Sequence, residues 1–281
     1  MHKKEHQGAK ISAGILKGLV FASAALTFLV LFFLIVYILV HGIPNLTPQL
    51  FAWKYTSENA SMLPSIINTL IIVILSLVIA VPLGIFSAIY LVEYAKRGNK
   101  FVKIIRLTTE TLSGIPSIVY GLFGALFFVT ALKWGYSLLA GALTLSIMIL
   151  PLIMRTTEEA LKSVPDSFRE GSFGLGAGKL RTVFQIVLPS AIPGILAGVI
   201  LAVGRIIGET AALIYTAGAV AEVPSSIMGS GSTLAGHMYN LSREGLYMNQ
   251  AYAVSVVLLI FVLLINWGSG KIAKKLTKGK E

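Results

Sequence analysis

Polar residues punctuate this chain at wide intervals. Apolar runs with few or no charges occupy 18–40, 66–91, 111–132, 137–154, 190–218 and 251–268. About 20 apolar residues cross a bilayer core, and the 23 residues of the first run reach roughly 34 Å as a helix. The pattern predicts an all-α membrane protein with six transmembrane helices. The first run is longer than the apolar core of a cleaved signal and reads as a retained anchor. The fifth run carries two charges, Arg205 and Glu209.

Composition agrees. Hydrophobic residues make up 56% of the 281 positions and charged residues 12%, against roughly 45–50% and about 25% in soluble domains. The net charge of +11 would suggest nucleic acid in a soluble protein, but here its placement decides. Lys3, Lys4, Lys10 and Lys17 precede the first run. Lys96, Arg97, Lys100, Lys103 and Arg106 follow the second. Arg155, Lys162, Arg169, Lys179 and Arg181 follow the fourth, and Lys271, Lys274, Lys275, Lys278 and Lys280 follow the sixth. Those 19 of 23 basic residues fall on one side, leaving Lys54, Lys133 and Arg243 on the other and Arg205 inside the fifth run. The positive-inside rule puts both termini in the cytoplasm. The charge therefore records orientation, and nucleic acid is not expected as a partner. With no Cys, disulfides, thiol catalysis and Cys-ligated metals are excluded.

The segment 158–189, assigned to the inside, is the most informative. Ser163 and Pro165 read as a helix start, and Gly174, Gly176 and Gly178 as its stop. The two-turn helix between them, 166–173, is marginal alone and needs something to dock against. A second helical piece, 179–188, leads to Pro189 and the fifth span. Gly176-Ala177-Gly178-Lys179 lacks the earlier Gly and the following Ser/Thr of a P-loop, so ATP would need a partner's site. Outside, 41–65 reads as a loop, 133–136 as a tight turn, and Gly229-Ser230-Gly231-Ser232 as a loop before a short helix at 233–246. His237, in that helix, has no second ligand nearby in sequence and reads as structural.

Glu170-Gly171-Ser172, Gly176, Ile186, Leu188 and Pro189 keep the spacing of the EAA motif, and the segment resembles that of ABC importer permeases. Gly171-Ser172 replace the usual Ala-Ala but stay small. In that family the short helix is a coupling helix seated in a groove of the ATPase. The resemblance implies this role for Asp166, Phe168, Arg169, Glu170, Gly171, Phe173 and Gly176. A closer resemblance runs through Gly114-Ile115-Pro116-Ser117-Ile118-Val119-Tyr120-Gly121 and Gly204-Arg205-Ile206-Ile207-Gly208-Glu209-Thr210-Ala211-Ala212. Both are similar to phosphate importer permeases, and the chain looks closer to the PstA-type than to the PstC-type subunit.

The resemblance implies a type I ABC importer transmembrane domain at 66–269, holding an EAA loop at 159–189. It is preceded by a cytoplasmic tail at 1–17, the first transmembrane helix at 18–40 and the loop at 41–65, and followed by a cytoplasmic tail at 270–281. It also implies a non-catalytic subunit of a bacterial or archaeal cytoplasmic membrane, with no cofactor of its own. The implied partners are a PstC-type permease, a PstB-type ATPase dimer using ATP and Mg, and a PstS-type phosphate-binding protein.

Ionisable residues inside a span avoid lipid. Arg205 and Glu209, four apart, are expected on one helix face, beside a small-residue stripe at Gly194, Gly198 and Ala202 that suits close helix approach. Arg205 suits bidentate phosphate contact, with Glu209 moderating its hold. An intrahelical ion pair that only fixes packing is the alternative. Glu110, Ser113 and Ser117 flank the break at Gly114 and Pro116, which reads either as a simple kink or as a broken-helix substrate site. Asn68 and Thr210 complete the candidate polar lining. Competing readings are a permease for molybdate or sulfate, an ion-coupled secondary transporter, which would want internal repeats that are not evident, and a membrane enzyme, for which no titratable constellation is seen.

Overall fold

The computed structural model describes residues 2–96 and 98–278. Arg97 and Lys280 lie outside the described residues, as do the side chains of Lys3, Lys4, Lys10, Lys274 and Lys278. Among the described residues every regular element is helical.

Helix α1 runs from His2 to Gly42, so the segment read as a tail is helical as well. Its apolar stretch stands almost wholly exposed, as lipid contact requires. It touches the body at its end, where Tyr37 and His41 meet the Tyr252 ring. Helix α2, Leu63–Ile89, continues as a π-helical turn, Tyr90–Tyr94. Helix α5, Leu138–Lys162, is the central post. It packs between α2 and α8, Leu188–Ile207, around Ile72, Leu145, Ile149, Ile153, Ile206 and Ile207. Gly194 and Gly198 seat α8 on α5, because a Cβ at either position would overlap Ala160 or Thr156. The small-residue stripe is thus a helix–helix contact. Helix α11, Met248–Lys278, closes the bundle.

Two apolar runs differ from straight spans. The third is a pair of helices, α3, Lys100–Ser113, and α4, Ser117–Gly124, extended by a π-helical segment, Ala125–Ala131; the pair is bent by 102°. Pro116 has no N–H and a φ of −59°, so the ladder stops at Ser113 and restarts at Ser117. Among the described residues five helices are long and apolar enough to cross a membrane, and this bent pair is a sixth crossing if it counts as one. The fifth run ends its helix at Ile207; Gly208 caps it, and a single turn α9, Ala211–Ile214, follows. Hydropathy alone carried that span to residue 218, because the apolar run continues past the backbone break.

Two apolar clusters mark opposite ends of the bundle. The 43–62 loop, helix α10, Leu234–Glu244, and the start of α11 share one apolar cluster that includes Leu50, Met62, Leu234 and Val254. The loop before α10 supplies carbonyls of Gly229 and Ile227 to the first amides of α5, at 3.0 and 2.9 Å, satisfying donors that a helix start leaves open. His237, buried in α10, approaches the Ala60 carbonyl at 3.2 Å and meets Tyr55 edge-on. At the opposite, basic end, Ala88, Ile89, Leu161, Val164, Val183 and Val187 form a second cluster. Above it stands α6, Asp166–Gly174.

Candidate functional site: a basic-end cavity and an exposed short helix

The α3–α4 elbow leaves room between α3, α5, α8 and α11. A cavity of about 900 Å³ fills it. Met148, Pro151, Leu152, Ala197, Ile200 and Leu201 give it apolar walls. Arg106, Glu110, Ser113, Tyr120, Arg155, Glu158, Glu159, Lys162, Arg205 and Asn266 supply its polar groups.

Most of those charges are spoken for. Glu158 accepts from Arg106 at 2.7 Å and from Lys162 at 2.6 Å, and Arg155 pairs with Glu159 at 3.1 Å. Among the described residues neither Arg205 nor Glu110 forms an ion pair. Arg205 sits in the last turn of α8, where the negative end of the helix dipole favours a cation, and its side chain reaches the cavity. The Asn266 side-chain oxygen is also buried there without a hydrogen-bond partner among the described residues.

The elbow is braced by Tyr120. Its hydroxyl donates to the Leu112 carbonyl at 2.8 Å, replacing a ladder bond lost at Pro116. Ser113 turns back instead onto the Glu110 carbonyl, 2.7 Å away. Ser117 opens α4 and is not part of the cavity wall.

Arg205 and Glu209 do not share a helix face, because α8 ends between them at Gly208, and the alternative ion pair is not formed among the described residues. Glu209 is buried at 8% exposure and its carboxylate accepts from the Ala212 amide at 3.1 Å, capping α9. Thr210 is the residue before that turn, and its carbonyl accepts from Ile214 at 3.1 Å. Gly121 lets α9 close on α4, since a Cβ there would press on the Ala212 backbone. Asn68 lies at the far end, where its amide donates to the carbonyls of Glu222 and Ser232 at 2.8 and 3.2 Å. Of the residues expected along the path, Arg205 and Ser113 share the cavity, while Ser117, Asn68, Glu209 and Thr210 do not line it. Arg106, Tyr120, Arg155, Lys162 and Asn266 line the cavity without having been expected along the path. For Asn266 a signal existed: a carboxamide within an otherwise apolar run.

The short helix α6 is bounded by a proline at its start and a left-handed glycine turn after its end. Ser163 does not cap it, since its hydroxyl returns to the Ala160 carbonyl at 2.8 Å and it closes α5 instead; Pro165 holds the cap position. Of the three glycines at the far end only Gly176 has a positive φ, +82°. The turn is cinched by Ser172 and Thr182, whose hydroxyls lie 2.8 Å apart. Phe168 and Phe173 remain 49% and 47% exposed and Leu175 92%. Glu170 and Gly171 are exposed too, and a Cβ on Gly171 would meet nothing within this chain. Arg169 turns inward, to Glu93 at 2.7 Å. Valine at Gly176 is expected to strain this turn by about 2 kcal/mol. Hydrogen exchange at Gly176 and Ala177 in the purified chain should then quicken by more than about tenfold; unchanged protection would refute the strain.

The helix beyond the turn, α7, Lys179–Thr182, runs through a π-helical turn, Val183–Val187, straight into α8. The helix does not break at Pro189; the π-helical turn just before it lies where Pro189, having no N–H, leaves a ladder bond unmade.

Residues 80–278 match the family described as binding-protein-dependent transport system inner membrane component. The chain is 36% identical over 290 aligned positions to the probable ABC transporter permease protein YqgI of Bacillus subtilis, covering 95% of this chain and 98% of that one. It is 35% identical to the phosphate transport system permease protein PstA of Pasteurella multocida, over 80% of this chain and 81% of that one. In fold it is similar to a chain of a bacterial alginate ABC transporter, with a TM-score of 0.70 at 15% identity, covering 94% and 95% of the two chains. It is also similar to a chain of the inward-facing MetNI methionine ABC transporter, with a TM-score of 0.60 at 22% identity, covering 77% and 94%. The matched segment takes in both the cavity and the short exposed helix, and the chain belongs to the family of binding-protein-dependent transport system inner-membrane components.

Proposed function

We propose that this chain is a permease subunit of an ATP-driven phosphate importer. The observation that carries the proposal is Arg205, a cation without an ion-pair partner among the described residues, on the wall of the cavity between α3, α5, α8 and α11. The likeness to PstA permeases supports phosphate as the anion. The basic end faces the cytoplasm, as the positive-inside rule expects.

The cavity then opens toward the cytoplasm and forms this subunit's half of the path. A second, PstC-type permease supplies the other half, and a PstS-type binding protein delivers phosphate outside. Two PstB-type ATPase copies hold ATP and Mg and bind α6 through Phe168 and Phe173. ATP closes the ATPase pair and moves the short helices, and the spans open outward to receive phosphate. Hydrolysis resets the inward state. Arg205 meets the anion with a bidentate guanidinium, while the neighbouring cations are tied to Glu158 and Glu159, so the path holds phosphate without trapping it.

The test is labelled phosphate uptake in cells that depend on this permease. Uptake should persist in a hundredfold excess of sulfate or molybdate and fall with unlabelled phosphate. Uptake suppressed by sulfate or molybdate instead would transfer the proposal to that anion.

A further inference from the structure

The guanidinium of Arg169 uses all its donors. Nε and Nη2 bond the Glu93 carboxylate at 3.2 and 2.7 Å. Nη2 also reaches the Leu161 carbonyl at 2.9 Å, and Nη1 reaches the Val164 carbonyl and Asp166 at 2.8 and 3.2 Å. Five N–H groups meet five bonds, which is the full capacity of this side chain. The pair is also well covered, with side-chain exposures of 15% for Arg169 and 8% for Glu93. One acceptor, the Leu161 carbonyl, lies in the last turn of α5, where a helix leaves such groups open, and the Val164 carbonyl follows just beyond the helix end.

The rest of α6 has little hold on the body. None of its residues is buried, and beyond its chain connections the other side-chain tie is Ser172 to Thr182. Glu93 belongs to the π-helical turn that ends α2. Such a turn has wider, less regular hydrogen bonding than an α-helix and recurs at functional sites. A few residues later the chain enters α3, which lines the cavity with Arg106, Glu110 and Ser113 and is pinned to α5 by Arg106 and Glu158.

We infer that Arg169 and Glu93 form a strut that carries movement of α6 into the end of α2 and on to the cavity wall. Arg169 is therefore a positioning residue of the transport cycle rather than a contact to the ATPase. This rests on the permease reading above. Lysine cannot replace Arg169, since an ammonium has three donors and no planar fork. Glutamine at 93 keeps size and an acceptor oxygen but removes the charge.

The test uses the complete importer, with its ATPase, second permease and binding protein, in proteoliposomes. In Glu93→Gln and Arg169→Lys, complex yield and basal ATP hydrolysis should stay within about twofold of the unaltered complex. Uptake and the stimulation of hydrolysis by loaded binding protein should fall at least about tenfold, the scale of a broken covered ion pair. Glu93→Asp should recover part of both. Unaltered coupling in both variants overturns the strut, and so does a parallel loss of assembly and basal hydrolysis, which marks fold support only. An unaltered complex that hydrolyses ATP without moving phosphate would defeat the permease reading instead. A second readout does not need transport. The chain has no Cys, so spin labels can be placed at Ser167 and Lys96 alone. Their separation should hold steady with and without nucleotide in the native background and broaden with Glu93→Gln. An unchanged distribution in that variant also overturns the strut.

Discussion

Arg205→Ala should lower phosphate uptake by at least about 30-fold, equivalent to roughly 2 kcal/mol of lost charge-assisted anion contact, while the complex assembles in normal amount. The separation of the two effects follows from where Arg205 sits. It is exposed to the cavity, forms no ion pair among the described residues, and ends a helix whose packing is carried by its neighbours Ala202, Val203, Ile206 and Ile207. Removing it leaves no orphaned carboxylate, because Glu209 is satisfied by the Ala212 amide. Arg205→Lys should fall between the two, keeping the charge but losing the bidentate fork. Uptake and affinity measured side by side with complex yield check this. Normal uptake by the alanine variant would remove Arg205 from the path.

The second large effect belongs to α6. Phe168→Ala combined with Phe173→Ala should abolish co-purification of the ATPase. Two aromatic side chains, each about half exposed on a short helix, match the large apolar anchors that dominate interfaces. Truncating one such anchor costs about 2 kcal/mol or more, so the pair should weaken association by roughly 1000-fold or beyond. Neither ring packs into the basic-end apolar cluster of this chain, so the isolated permease should keep its yield and its thermal transition. An ATPase that still co-purifies with the double variant would place the docking surface elsewhere on the loop.

Much of this was legible in the residues themselves. Spans 1, 2, 4 and 6 follow from run length, because a helix that satisfies its own backbone in lipid must be long and apolar. The short helix was readable from Pro165 and Gly176, one unable to extend a helix backward and the other free to turn left-handed. The elbow was harder. Gly114 and Pro116 announced a break, but the 102° angle depends on what α3 packs against. The end of α8 was hidden because Ile206, Ile207, Ala211 and Ala212 keep the run apolar on both sides of Gly208. That error put Arg205 and Glu209 on one face, when a backbone turn divides them. The remaining cavity groups come from α3, α5 and α11, which are far apart in sequence. Only their packing brings Arg106, Glu158 and Asn266 together. Arg169 was placed among the docking residues because exposed and inward positions of a two-turn helix look alike in sequence; Glu93, 76 positions away, decides between them.

The most direct measurement is phosphate accumulation by the purified importer in proteoliposomes, with loaded binding protein on one face and ATP and Mg on the other. Phosphate should accumulate above its external level only when ATP is on the face bearing the basic residues and α6. Omission of this chain, or of the ATPase, should stop accumulation. Accumulation without ATP, or driven by an ion gradient alone, would contradict ATP-driven import.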